Sequence, residues 1–191
     1  VDGLVVAGGE GGGFTNPRDV ASMVLLPLVA QAVDVPIIAA GGIFDGPSMA
    51  AAFALGAEGV QLGTRMVSAA ESPVHQNWKQ AIVDAAETDT VFLNRHSRPG
   101  LRALRTDFSE PLEREDHVGL DVLGRVLDLY FGGDMDASIA LSGQVAGRID
   151  EVQPVAEIIG DLVAGFLTTV NDLAARYPAD STPAARETET P

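Results

Sequence analysis

Three short apolar runs, residues 1–7 (VDGLVVA), 35–40 (VPIIAA) and 57–62 (AEGVQL), are each followed by glycine. Between them lie two segments whose apolar residues have helical spacing, 20–33 and 47–55; the first is built on Leu25, Leu26, Leu28, Val29 and Ala32. Strand, glycine turn and helix therefore follow one another repeatedly up to residue 64. Apolar runs without polar alternation suit strands of a parallel sheet covered by helices. Two architectures offer that arrangement, a closed (β/α)₈ barrel and an open doubly wound sheet. Both gather their ligands at the carboxyl ends of the strands. The strand count is the constraint. Three parallel strands cannot close a barrel, and they make a poor open sheet. The expected fold is α/β: the C-terminal portion, about three β/α units, of a larger barrel, or a set of strands completed by another chain.

Beyond residue 65 the rhythm changes. Residues 72–86 read as a helix, and 90–106 start strand-like and continue as a loop holding Arg95, Arg98, Arg102 and Arg105. Helices are expected over 118–131, 137–146 and 152–177, with Pro27 in the earlier helix placed near its first turn. Residues 8–16 (GGEGGGFTN) are too glycine-rich for an ordered element and read as a loop. Residues 178–191 combine three prolines with small polar residues and read as a disordered tail. The organisation expected is thus 1–90 for the strand–helix units, 91–177 for a loop and helical extension packing on them, and 178–191 for the tail.

Charge and composition narrow the partners. Lys plus Arg minus Asp plus Glu gives 12 − 27 = −15, which argues against a nucleic-acid backbone or an anionic membrane surface. A small anion is still compatible, because backbone N–H groups bind phosphate locally. The absence of cysteine removes disulfides, thiolate catalysis and sulfur-ligated metals. His75, His96 and His117 are too far apart in sequence for a local metal motif, so no metal is expected. No run of eighteen apolar residues occurs, and a cytoplasmic location is the expectation.

The glycines after the second and third strands have two open readings. Gly41 with Gly42, and Gly63 with Thr64, either expose backbone N–H groups to a phosphate or merely allow tight turns. No P-loop spacing accompanies them. Glu10, inside the first glycine loop, either faces a ligand or accepts hydrogen bonds from neighbouring amides. Arg65 would meet an anionic substrate or a carboxylate. His75 is a substrate-pocket candidate, with a plain contact between helix and loop as the alternative. The arginine loop either creates a positive field at a site mouth or pairs with Glu113, Glu115 and Asp116.

Several segments together resemble the nitronate monooxygenase family, formerly 2-nitropropane dioxygenase, which is close to the FMN-dependent enoyl-acyl-carrier-protein reductases. They are GGEGGGFT (8–15), PIIAAGGIFDG (36–46), ALGAEGVQLGTRM (54–66), AAESPVHQNWK (69–79) and SGQVAGRI (142–149). The resemblance runs from residue 1 to about 165. It implies an FMN-binding TIM barrel with a helical extra part, Val1 in or near the sixth strand, and an N-terminal barrel half that precedes it. It implies FMN phosphate and ribityl contacts at Gly12, Gly41, Gly42, Gln61, Leu62, Gly63 and Thr64. Three positions depart from the family pattern. Ala7 replaces a glutamine that contacts the flavin, Gly11 replaces an alanine, and Phe14 replaces the histidine that serves as base or donor. Phenylalanine transfers no proton, so the catalytic residue is left unknown, and Phe14 becomes a wall for an apolar substrate or the flavin edge. The implied activity is oxidation of an alkyl nitronate by O₂ through reduced flavin. The alternatives are an enoyl reductase or acyl-CoA-directed dehydrogenase, whose substrate is an acyl thioester, and a catalytically silent barrel fragment.

Overall fold

Leu4–Ala7 (β1), Ile37–Ala40 (β3) and Gly59–Gln61 (β4) form a parallel sheet in the order β1-β3-β4. The computed structural model describes residues 1–178, so the expected tail lies, apart from Pro178, outside the described residues. The register sets Ala7 beside Ala40 and Ala40 beside Gln61. The three carboxyl ends, and the glycine turns that follow them, are thereby brought level.

Crossovers α1 (Ser22–Ala30) and α2 (Gly46–Ala54) cover one face of this sheet. Val6, Ile37 and Ala39 point into that layer and are buried with Leu26, Ile43, Ala52 and Ala57. α2 starts where Asp45 accepts from the Ser48 N–H at 2.8 Å and Ser48 Oγ accepts from the Asp45 N–H at 3.1 Å, a reciprocal cap. Pro27 falls inside α1 rather than in its first turn. On the opposite face of the sheet, Val5 is 54% exposed and Ile38 39%. Among the described residues β1 and β4 each have one neighbour, so both edges are open and no closed barrel is formed.

The second sheet departs from the expected loop. Gly13–Thr15 (β2), Thr90–Leu93 (β5) and Gly100–Leu104 (β6) pair antiparallel in the order β2-β6-β5. Two segments read as loop are therefore strands. Gly13, with φ +80°, turns the chain out of the glycine loop, and Phe14 then pairs with Leu101. All nine residues of β5 and β6 are buried. Around them pack Val118 and Ile139, while Trp78, Ile82, Leu129 and Ile149 build an adjoining core.

The remaining elements are α3 (Thr64–Val67), α4 (Gln76–Val83), α5 (Ser109–Leu112), α6 (Val126–Tyr130) and α7 (Val155–Arg176). The helix expected over 118–131 is split into a 3₁₀ turn, Leu120–Leu123, and α6. That expected over 137–146 is irregular up to a 3₁₀ turn at Gln144–Arg148, with Ala140 accepting from the Leu104 N–H at 2.9 Å and Ser138 Oγ donating to the Val122 carbonyl at 2.8 Å. α7 packs on α2 with Gly165 against Gly46, where a Cβ on Gly46 would meet the Gly165 carbonyl carbon at 2.1 Å. Phe53 and Phe166 flank that approach with ring centroids 5.1 Å apart. By length and composition alone α7 is apolar enough to cross a membrane, with a mean hydropathy of 1.4, although no continuous apolar run marks it.

Candidate functional site

The level strand ends enclose a cavity of about 230 Å³. Gly12, Gly41, Gly42, Gln61, Gly63 and Thr64 line it, as do Glu10 and Phe14. Leu62 is next to these residues in the chain but does not line the cavity. Gly41 and Gly42 take φ of +79° and +76°, left-handed values that glycine adopts without a steric cost. Gly41 also sits against the first loop, where a Cβ would lie 2.9 Å from the Gly11 nitrogen.

The glycine turns differ in what surrounds their backbones. In the first loop Gly8 donates to the Ala40 carbonyl, Gly9 to Val20 and Gly11 to Gly8. A Cβ on Gly12 would strike the Ser142 carbonyl carbon at 2.4 Å. This loop is glycine-rich largely because backbone meets backbone there. In the other two turns, the N–H groups of Gly41, Gly42 and Gly63 have no protein partner among the described residues. A Cβ on Gly63 would meet nothing within 4 Å.

Thr64 is buried, and its Oγ1 accepts from the Gly143 N–H at 2.8 Å. A hydroxyl that accepts one bond retains its own proton to donate. Ser142 takes a bond from the Trp78 indole N–H at 3.2 Å, and Gln144 donates to the Glu10 carbonyl at 3.0 Å. Residues 142–144 are thus held from three sides and supply a wall through Gly143 and Val145. Their role in the cavity was not anticipated; the Ser-Gly-Gln triplet was the available sign. The donor set of unpartnered N–H groups plus a hydroxyl fits a phosphate, which needs several convergent donors.

The charged candidates have other attachments. Both Glu10 carboxylate oxygens accept from the Ser22 N–H, at 3.0 and 3.2 Å, and Ser22 Oγ donates to Oε2 at 3.0 Å. Glu10 therefore borders the cavity while its charge caps the first turn of α1. It is the one titratable side chain among the described residues lining the cavity. Phe14 is 59% exposed and stands at the cavity as a bare ring.

Arg65 points away, donating to the Glu151 carbonyl at 2.8 Å and to the Gln153 side chain. Desolvation lowers its pKa, opposed by Glu151, Asp150 and Asp161. His75 caps α4 by accepting from the Asn77 N–H at 3.1 Å and does not line the cavity.

The arginine segment divides. Arg105 pairs with Glu113 at 3.3 Å and Glu110 at 3.6 Å. Arg102 is buried, donating from Nε to the Gly9 carbonyl at 3.0 Å and from a terminal nitrogen to Thr90 Oγ1 at 3.1 Å. Burial lowers its pKa, and Asp19 is the largest opposing influence. It remains a cation at neutral pH. Arg102 therefore ties the antiparallel sheet to the glycine loop.

Comparison with known proteins bears on the family and the fold. The chain is 44% identical to "(3aS,4S,5R,7aS)-5-hydroxy-7a-methyl-1-oxo-octahydro-1H-indene-4-carboxyl-CoA dehydrogenase" of Mycobacterium tuberculosis, over 91% of this chain and 62% of that protein. It superposes on the structure of FabK from Thermotoga maritima with a TM-score of 0.84 and 37% identity, covering 93% of this chain and 58% of the other. For the nitroalkane oxidase of Streptomyces ansochromogenes the TM-score is 0.76 and the identity 25%, with 91% and 54% covered. The chain spans about three fifths of the length of such relatives. Residues 1–165 match the family described as nitronate monooxygenase, and the chain belongs to that family.

Proposed function

We propose that the complete protein holds FMN at this cavity and is an oxidoreductase acting on the acyl part of a thioester. The observation that carries the reading is the cavity lining itself: a bare Phe14 ring beside unpartnered N–H groups, with the single carboxylate engaged at α1. In this reading the N–H groups of Gly41, Gly42 and Gly63 and the Thr64 hydroxyl hold the phosphate. Gln61, exposed at the end of β4, offers an amide beside them. When bound, FMN supplies two-electron transfer to or from an organic substrate. Phe14, Val5 and Ala7 form an apolar surface that excludes water and suits a hydrocarbon acyl group. Strands that precede residue 1 would complete the barrel and the rest of the pocket.

The mycobacterial relative, named as a carboxyl-CoA dehydrogenase, supports the thioester as substrate class. A second reading, oxidation of an alkyl nitronate with O₂, is favoured by the family match. A preformed nitronate needs no proton removed, so Phe14 permits it. Mixing the FMN-loaded full-length protein with acyl thioesters under anaerobic conditions distinguishes the two. The proposal expects a saturated acyl-CoA to bleach oxidised flavin, or an enoyl-CoA to restore the absorbance of photoreduced flavin. Bleaching by propyl-2-nitronate with no response to any thioester would overturn it.

A further inference from the structure

A second cavity, of about 460 Å³, lies between residues 16–18 and the loop 95–98. Arg18, Arg95, His96 and Arg98 line it, with Asn16 and Ser97 as neutral polar neighbours and no carboxylate in the lining. Three of the chain's twelve Lys and Arg residues thus face one concavity in a protein of net charge −15. Guanidinium groups gathered in this way repel one another unless an anion joins them. Arg18 and Arg98 form no ion pair among the described residues. Arg95 is only 4.0 Å from Glu113 and rests over the Phe92 ring at 4.9 Å. Glu113, beside Arg95, and Asp19, beside Arg102, both lie outside the lining.

The loop is built rather than loose. Asn94, buried with φ 61°, accepts from the Val118 N–H at 2.7 Å and donates to the carbonyls of Pro99 and Val118 at 2.8 and 3.0 Å. Its own carbonyl accepts from the Ser97 N–H at 3.2 Å. Such bonding pre-orders the arginine backbone and reduces the entropy lost on binding.

Position connects this cavity to the first. β2 carries Phe14 at its centre, and Thr15 at its end pairs with Gly100, two residues after Arg98. Three residues separate Phe14 from Arg18, so the four steps between them span at most about 14 Å of extended chain. Phe92 lies between Arg95 and Arg102, at 4.9 and 5.0 Å, and Arg102 holds the Gly9 carbonyl.

We propose that this arginine-lined cavity binds the phosphate-bearing nucleotide end of the thioester carrier whose acyl group reaches Phe14. The assignment rests on the thioester reading above. Arginine forks suit phosphate oxygens. A concavity of this size favours a small nucleotide over the broad surface of an acidic carrier protein.

Calorimetric titration of the FMN-loaded full-length protein with adenosine 3′,5′-bisphosphate tests the site without requiring turnover. The wild type should bind the probe in a salt-sensitive manner, and Arg18→Ala with Arg98→Ala should weaken it at least tenfold while flavin is retained. Arg125→Ala with Arg176→Ala, an equal charge change at two exposed residues outside this lining, should leave the affinity unchanged. No binding by the wild type, equal binding by the double variant, or equal affinity for inorganic pyrophosphate would each overturn the nucleotide assignment. Salt-sensitive capture of an acidic acyl carrier protein without probe binding would overturn it as well. An acyl-pantetheine, which lacks the nucleotide, reports on the flavin site alone. If it leaves the flavin unchanged while the probe still discriminates wild type from variant, the thioester reading fails and the anion site stands.

Discussion

The two sheets contain three strands each and meet water in opposite ways. β5 and β6 of the antiparallel sheet are buried along their whole length, with core residues on both sides. The parallel sheet is buried on one face only, and its other face presents Val5, Ile38 and the end of β4. Each sheet ends in two edge strands; the difference lies in the cover, since β5 and β6 are enclosed by the core while the parallel sheet is covered on one face. The candidate site belongs to the incomplete wall and borrows Phe14 from β2 and its Arg102 clamp from β6.

The comparison breaks or sharpens most clearly at two apolar positions. Leu101 is fully buried in β6, and Leu101→Asp places an unpaired carboxylate in the core. It should cost more than about 4 kcal/mol and prevent folding. Val5→Asp would be within about 0.5 kcal/mol if the bare face were true surface. If strands outside this chain cover Val5 in the full-length protein, as the proposed function requires, it should instead cost several times that. Urea melts of the full-length variants check both, and a neutral Val5→Asp would show that the face is surface.

The link between the sheets comes next in size. Arg102→Met keeps much of the stem and removes the bonds to Gly9 and Thr90. A hydrogen bond from a charged group is worth roughly 1.5–3 kcal/mol, so denaturant melts should show a loss of that order, with weaker flavin retention following from the loosened loop. Gly12→Ala, which drives a Cβ into the backbone at Ser142, should cost about 1–3 kcal/mol. Gly63→Ala, with open space at that position, should change stability by no more than about 0.5 kcal/mol. Equal losses at Gly12 and Gly63 would erase the distinction between packed and ligand-facing glycines. A similarly small change is expected of Glu10→Gln, which retains an acceptor for Ser22 and should cost about 0.3–1 kcal/mol through the lost charge at α1.

The parallel strands were legible because their signal is local. Val5 and Val6, then Ile37 and Ile38, sit in short apolar runs that end on glycine, and nothing distant is needed to recognise them. β2 and β6 were not legible, because a three-residue strand after five consecutive loop residues and a strand centred on Arg102 have no local pattern. Their pairing depends on a guanidinium satisfied by Gly9, 93 residues away. Residues 137–146 misled for the same reason, since their apolar spacing is helical but Ala140 and Ser142 bond to β6 and α4. At the site, the turn glycines were readable from spacing, and the resemblance supplied Gln61 and Gly12. The wall at Gly143 and Val145 came from a segment whose place is set by Thr64, Trp78 and Glu10 together.

The central claim is that the free N–H groups after β3 and β4 hold the phosphate of FMN. Flavin fluorescence titration of full-length Gly63→Asp, beside urea melts of its apo form, tests it most directly. Apart from Gly63 and its two chain neighbours, no heavy atom of the described residues lies within 4 Å of the added Cβ, so the fold should survive. The carboxylate would stand where a phosphate is bound, and the lost charge-assisted bond alone corresponds to about one to two decades in Kd. The account predicts at least that loss of FMN affinity with an unchanged melt. Wild-type FMN affinity in a folded Gly63→Asp protein would contradict it.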